Sequence, residues 1–150
     1  MKTIFLCFAL LASSIGYYHA ATKTKCQVVS ALRAQRIPDG DLRNWLCLVK
    51  HESSYRYDVT NTNSNLSKDY GIYQLNNKYW CDRGTSSDTA CWKINIYGCG
   101  VPCNSLLNSD IDDDTKCAVK IKNCNSFRQW YGWTNNCQDV SGSEFDYSSC

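Results

Sequence analysis

An α+β fold, with a mostly helical lobe beside a small antiparallel β-sheet lobe and held by disulfides, is what this sequence predicts. Three observations carry it. Apolar residues recur at helical spacing in the first and last thirds of the chain, while an Asn- and Ser-rich stretch between them holds short β-prone pieces. The third is the count of 11 cysteines in 150 residues, more than a reducing compartment would keep in a chain of this size.

At the N-terminus, Lys2, the apolar run from Ile4 to Ile15 and the small residues Ala20 and Ala21 read as a secretory signal peptide over residues 1–20. Cleavage falls near Ala20 or Ala21, with Ser14-Ile15-Gly16 as an earlier alternative, and the run is too short for a membrane span. Residues 21–150 then make one secreted, extracellular domain of about 130 residues, long enough to bury a single core. Cys7 leaves with the signal, and the ten remaining cysteines, an even number in an exported chain, imply bridges. Zinc is the competing use of cysteine. No CxxC pair is present, and His51 is the only histidine of the mature chain.

The elements follow in order. From Cys26 to Arg36, Val28, Val29 and Leu32 stand near helical spacing, with Ile37 beyond, and "RIPDGD" ends this first helix. Asp41 is the expected N-cap of the second, after a turn marked by Pro38, Asp39 and Gly40, and Leu42, Trp45, Leu46 and Val49 form its apolar face. Between Tyr57 and Asn76, Asn and Ser cluster around β-prone pieces such as Asp69 to Leu75, which predicts a small antiparallel hairpin sheet. Cys81 to Cys103 reads as a loop held by bridges. Helical spacing returns with Cys117, Ala118 and Ile121 and continues through Phe127, Trp130 and Trp133.

Charge excludes one class of function. The chain has 16 Lys and Arg against 14 Asp and Glu, and loss of Lys2 leaves +1, too little for a nucleic-acid binder that relies on a basic surface. Aromatic clusters at Tyr79-Trp80 and Trp130-Tyr131-Gly132-Trp133 fit a core or a sugar-stacking cleft, and for any single ring the core is the more ordinary place.

Glu52, one of two glutamates, continues the apolar face of the second helix. An ionised carboxylate there must be paired, lie exposed at the helix end, or stay partly protonated through desolvation, and the last of these makes a general acid. Asp69, on the proposed strand among Asn61, Asn63 and Asn76, has amides that would hydrogen-bond it as an anion. Two carboxyls in contrasting settings are what glycoside hydrolysis needs. His51, adjacent to Glu52, does not share its helix face and reads as a surface residue.

At these residues the chain resembles the chicken-type (c-type) lysozymes of the lysozyme/α-lactalbumin family. Glu52 in "HESSY" matches the family's helix-ending glutamate motif, and Asp69 stands in "DYGIYQLN", which matches its aspartate motif. "WC" at Trp80-Cys81, "PCNSLLNSDI" from Pro102, "CAVKI" from Cys117 and Trp130 to Cys137 extend the match over nearly the whole mature chain. The resemblance implies a substrate cleft between the two lobes. It also implies cleavage of the β-1,4 bond between N-acetylmuramic acid and N-acetylglucosamine in bacterial peptidoglycan, for defence or digestion, with chitooligosaccharide as a second substrate. Lysozyme is the type case of this two-carboxylate retaining chemistry, so the roles of Glu52 as acid and Asp69 as nucleophile or stabiliser, about 5–5.5 Å apart, are carried over from it. By the same resemblance Trp130 packs over the acid, Tyr79 and Trp80 line the cleft, and Asn76 and Gln129 hold an N-acetyl group. Tyr79 stands where vertebrate members usually carry Trp, and Gln129 where a smaller residue is common; both bear on substrate preference.

The family's bridges map to Cys26–Cys150, Cys47–Cys137, Cys81–Cys103 and Cys99–Cys117. Cys91, in an insertion between Cys81 and Cys99, and Cys124 are left over and are expected to form a fifth bridge. The stretch "NSLLNSDIDDDTKC" resembles the calcium loop of α-lactalbumin and of calcium-binding lysozymes. There Asn108, Asp113 and Asp114 would give side-chain oxygens to a structural calcium, and Ser105 and Asp110 backbone carbonyls. Asn108 stands where that pattern has Asp, and an acidic first turn of a helix is the alternative reading. No cofactor is required for the reaction, and a monomer is expected. The competing function is a catalytically silent lysozyme-like or α-lactalbumin-like protein binding calcium or glycan, but such relatives commonly lose one or both carboxyls. A disulfide-stapled lectin or structural module explains the cysteines and aromatics without the contrast between Glu52 and Asp69.

Overall fold

The computed structural model describes residues 21–84 and 90–150, so the expected signal peptide lies outside the described residues. The described residues form five α-helices and one three-stranded antiparallel sheet.

Helix α1, Lys25–Ala34, starts from a capping box in which the Thr24 hydroxyl accepts from the Gln27 N–H and the Gln27 side chain accepts from the Thr24 N–H. Helix α2, Asp39–Ser53, begins earlier than the sequence reading placed it. Pro38, with φ −61°, is the N-cap, and Gly40 and Asp41 lie within the first turn. The preset φ of proline favours a helix start, and Asp39 and Asp41 complement the positive end of the helix dipole. Asp41 instead pairs with Lys122 at 2.6 Å. Leu42, Trp45, Leu46 and Val49 are fully buried, as their spacing required.

The sheet runs β1 (Thr60–Thr62), β2 (Lys68–Tyr70) and β3 (Leu75–Asn76), in that spatial order. Asp69 to Leu75 is therefore two strands and a tight turn, with Gly71 and Gln74 both at positive φ. Asp69 faces Asn61 on one neighbour and Asn76 on the other. The Cys81–Cys103 stretch, expected as loop, contains helix α3, Cys91–Tyr97. Only Ile94 of α3 is buried, which is too little periodicity to betray a helix in sequence.

The last helical run divides into α4 (Asp112–Asn125), a 3-10 turn (Phe127–Gln129) and α5 (Tyr131–Asn136). Ser126, at φ 68°, breaks it. Trp45 sits at the middle of the core with its ring edge-on to Phe127, Tyr73 and Trp130, at centroid distances of 4.8, 5.8 and 6.1 Å. The Trp130 indole N–H donates to the Tyr73 carbonyl at 2.9 Å, which ties α5's entry to the turn between β2 and β3. Bridges join Cys26–Cys150, Cys47–Cys137, Cys81–Cys103, Cys99–Cys117 and Cys91–Cys124.

Candidate active site

A cleft of about 910 Å³ runs between the sheet and the helices, and the ends of several elements bring both carboxyls to it. Glu52 comes from the last turn of α2 and Asp69 from the middle of β2. The helix places Glu52 on the stripe that buries Trp45 and Val49, so its carboxyl is drawn out of solvent. Burial is the main cause that raises its pKa to about 6, and the negative charge of Asp69 adds to it. A hydrogen bond from the Gly132 N–H to Glu52 Oε1, at 2.7 Å, opposes the shift in part and fixes the carboxyl's position. Gly132 is there for space: a Cβ on it would lie 2.6 Å from Glu52 Oε1.

Asp69 is held differently. The Asn63 amide donates to its Oδ2 at 2.8 Å and the Asn76 amide to its Oδ1 at 2.6 Å, one bond to each oxygen. Ser67 Oγ, which accepts from both amides and donates to Asn65 Oδ1, orients the pair. Asn61 departs from the expected trio. It lines the cleft, but its amide donates to Gln74 Oε1 at 2.8 Å, and Gln74 in turn donates to the Gly71 and Val59 carbonyls. Ser67 and Gln74 were not among the expected site residues, and the one available signal was that Gln74 is a polar residue inside the aspartate motif and Ser67 one just before it.

The remaining expected cleft residues lie on the same surface. Tyr79 and Trp80 form a tilted pair with centroids 6.3 Å apart, Tyr79 half exposed; Gln129 and Trp130 stand in the same lining, with Trp130 buried. His51 is exposed. The lining thus offers a partly buried protonatable acid, a carboxyl hydrogen-bonded by two amides and aromatic faces for a sugar ring. That is equipment for protonating a leaving oxygen beside a developing positive charge.

The aspartate-rich loop is arranged otherwise than a calcium shell requires. The Asn108 amide donates to the Ser105 carbonyl at 2.7 Å, so an N–H group sits on an oxygen that the cation would need, and Asn108 Oδ1 accepts from the Asp110 N–H at 2.6 Å. Asp113 accepts from the Ser105 hydroxyl through Oδ2 and from the Asp114 N–H through Oδ1. Asp114 is turned inward and fully buried, and burial foremost, then the neighbouring Asp113 charge, raises its pKa to about 9. To ligate a hard cation it would have to give up its proton and turn out of the core. Among the described residues no group of three or more His, Cys, Asp or Glu converges as for a metal ion. These five residues do not fit calcium in this arrangement.

Comparison with known proteins follows the same direction. The profile of the C-type lysozyme/alpha-lactalbumin family matches residues 21–150. The chain is 45% identical to a lysozyme of Bombyx mori over 95% of its own length and 96% of that protein. It is 40% identical to lysozyme c-1 of Anopheles gambiae over 91% of each chain, and 37% identical to the milk isozyme of lysozyme C from Equus caballus over 85% and 96%. With its two cleft carboxyls, its helix-and-sheet architecture and a match over the whole described region, the chain belongs to the C-type lysozyme/alpha-lactalbumin family.

Proposed function

We propose that this protein is a secreted muramidase that hydrolyses the β-1,4 bond between N-acetylmuramic acid and N-acetylglucosamine in bacterial peptidoglycan, with retention of configuration. The observation that carries this reading is the contrast between Glu52, desolvated and held by the Gly132 N–H, and Asp69, hydrogen-bonded by two amides across the same cleft. Glu52 gives its proton to the glycosidic oxygen as the bond to the sugar carbon breaks. Asp69 takes up the positive charge at that carbon, forming or stabilising the glycosyl intermediate. The ionised Glu52 then removes a proton from water as the water's oxygen attacks the carbon, and Glu52 is restored to its acid form. Asn61, Asn63 and Asn76, Tyr79 and Trp80, and Gln129 and Trp130 line the path of the glycan. Residues 1–20 serve as the secretory signal and 21–150 as a single domain acting as a monomer. No described helix is long and apolar enough to cross a membrane.

The reading predicts that purified peptidoglycan yields new reducing ends and that the first-formed anomer, followed by NMR at early times, is β. An inverted anomer would reject the double-displacement role of Asp69, and absence of any cleavage by the folded protein would reject the enzyme.

Gly132→Ala tests the placement of the acid. The methyl group would meet Glu52 Oε1 at 2.6 Å and push the carboxyl off its position, which costs roughly 10- to 100-fold in turnover. The helix propensity alanine adds to α5 is opposed by the methyl's contacts with Glu52 Cδ at 3.0 Å and the His51 backbone at 3.2 Å, so the melting temperature should change little. Turnover that falls while stability does not is the expected pair of results; unchanged turnover would show that Glu52 works without this contact.

A further inference from the structure

Helix α3 is built inside out. Ile94 is its one buried residue, and Asn95 turns to α4, where the Asn125 amide donates to its Oδ1 at 2.9 Å. At about 100° per residue the side opposite Ile94 carries Trp92 and Ile96, flanked by Lys93 and Tyr97. Trp92, Ile96 and Tyr97 are 59%, 49% and 43% exposed, and they make up half of the large apolar side chains that the described residues leave open to solvent. A surface helix ordinarily keeps its polar side outward, so an outward apolar stripe on a short helix is an unpartnered binding face.

The face is held in place at both ends. Cys91 is bridged to Cys124 of α4, and Gly98, at φ 65°, packs on Trp80 so closely that a Cβ would lie 2.4 Å from the Trp80 carbonyl oxygen. Its charge is of one sign. From Ala90 to Val101 the only charged residue is Lys93, whose Nζ lies 5.3 Å from the Trp92 ring centroid. Arg83 adds a second cation at the far end of the helix, donating to the Ile96 carbonyl at 2.8 Å and to the Lys78 carbonyl at 2.7 Å, and among the described residues it meets no carboxylate. The neighbouring acid, Asp82, is engaged elsewhere, its Oδ1 accepting from the Cys103 N–H at 3.0 Å.

An indole, a branched aliphatic chain and a phenol beside two cations match the boundary of an anionic bilayer. Aromatic rings with a polar edge rest at headgroup level, the aliphatic chain reaches the acyl region, and the cations face lipid phosphate. A protein partner would need roughly 800 Å² on each side of a stable interface, more than the outer face of a seven-residue helix supplies. We propose that the outer face of α3 is a docking surface for membranes rich in anionic phospholipid, with the helix lying in the headgroup plane and not crossing the bilayer. This attachment is separate from the cleft chemistry, since neither Trp92 nor Ile96 lines the cleft.

The test is co-sedimentation of the disulfide-intact mature chain with vesicles of mixed phosphatidylglycerol and phosphatidylcholine, and with vesicles of phosphatidylcholine alone, at low and at physiological salt. Wild type is compared with Trp92→Ser, Ile96→Ser, the double variant and Lys93→Gln. All three side chains face outward from α3, so the melting temperature and the cleavage of purified peptidoglycan should not change. Expected is binding to the anionic vesicles that weakens with salt, and a partition coefficient at least about tenfold lower in the double variant. Lys93→Gln should lower it about fivefold, the contribution of one cation at an anionic surface. Equal binding to both vesicle compositions, no binding to either, or an unchanged partition coefficient in the double variant would overturn the proposal. So would a dimer seen by sedimentation velocity and abolished by the double substitution, which would assign the face to a second copy of the chain.

Discussion

Glu52→Gln should lower turnover on peptidoglycan by at least about 10³-fold while the folded protein becomes more stable at neutral pH. The amide keeps the shape of the carboxyl and can still accept the Gly132 N–H, so the loss isolates the proton. The wild-type carboxyl has its pKa raised to about 6, by burial first and by the Asp69 charge second. It is therefore protonated below about pH 6 and a competent acid there, and activity should decline on the alkaline side of that value. The observed limbs of the pH profile are macroscopic constants of the carboxyl pair.

The sign for stability runs the other way. A raised carboxyl pKa means the folded state binds the proton more tightly than the unfolded chain does. Wild-type stability is therefore lost as pH rises from the ordinary value of 4.5 through about 6, up to about 2 kcal/mol in all. Glutamine removes that loss. Clearing assays across pH 4–8 and denaturant midpoints at pH 5 and 8 measure the two effects. A Glu52→Gln protein that keeps even a tenth of the activity would remove Glu52 from the acid's role. A midpoint that falls at pH 8 would show that the carboxylate is not desolvated as its burial implies.

Glu52 was legible because its position is a conflict between two levels of the sequence: the helix period calls for an apolar residue and the chain supplies an acid. Conflicts of this kind mark function or strain. Asp69 was legible for another reason, its Asn neighbours, but a strand residue's partners depend on register. Pairing of Asp69 with Asn61 and Asn76 across the sheet put Asn76 on its carboxyl and sent the Asn61 amide to Gln74. Nothing in one-dimensional order distinguishes those outcomes. Helix α3 was illegible because one buried residue, Ile94, makes no period; its place is fixed by a bridge and by backbone contacts to Trp80. The break at Ser126 was missed for a similar reason, since the apolar spacing runs on through Phe127 and Trp130 and conceals the change from one helix to two.

Asp114 repeats the Glu52 signal. Asp114, Cys117, Ala118 and Ile121 stand at i, i+3, i+4 and i+7, and all four are buried. The aspartate lies on the core face of α4, where its carboxyl packs on the Gly71 backbone at the turn between β2 and β3. Neither oxygen meets a donor in hydrogen-bonding geometry, and the nearby Ile72 and Asp114 N–H groups offset burial only in part. The pKa, raised to about 9, keeps the folded-state carboxyl neutral through the physiological range, whereas the unfolded chain ionises at its ordinary 3.8. Between those values the unfolded chain has shed a proton that the native state still holds, so stability falls with rising pH, by at most about 1.4 kcal/mol per pH unit.

Asp114→Asn should therefore match wild type at pH 4 and exceed it by several kcal/mol at pH 8, seen as a denaturant midpoint that changes far less with pH than that of the wild type. The same titrations with a chelator and with millimolar calcium discriminate the alternative. Should Asp114→Asn be the less stable protein at pH 8, with calcium raising only the wild-type midpoint, the carboxylate is a ligand and the loop opens to receive the ion. Indifference of both proteins to calcium, together with the pH-dependent gain, would establish Asp114 as a neutral acid locked between the helices and the sheet.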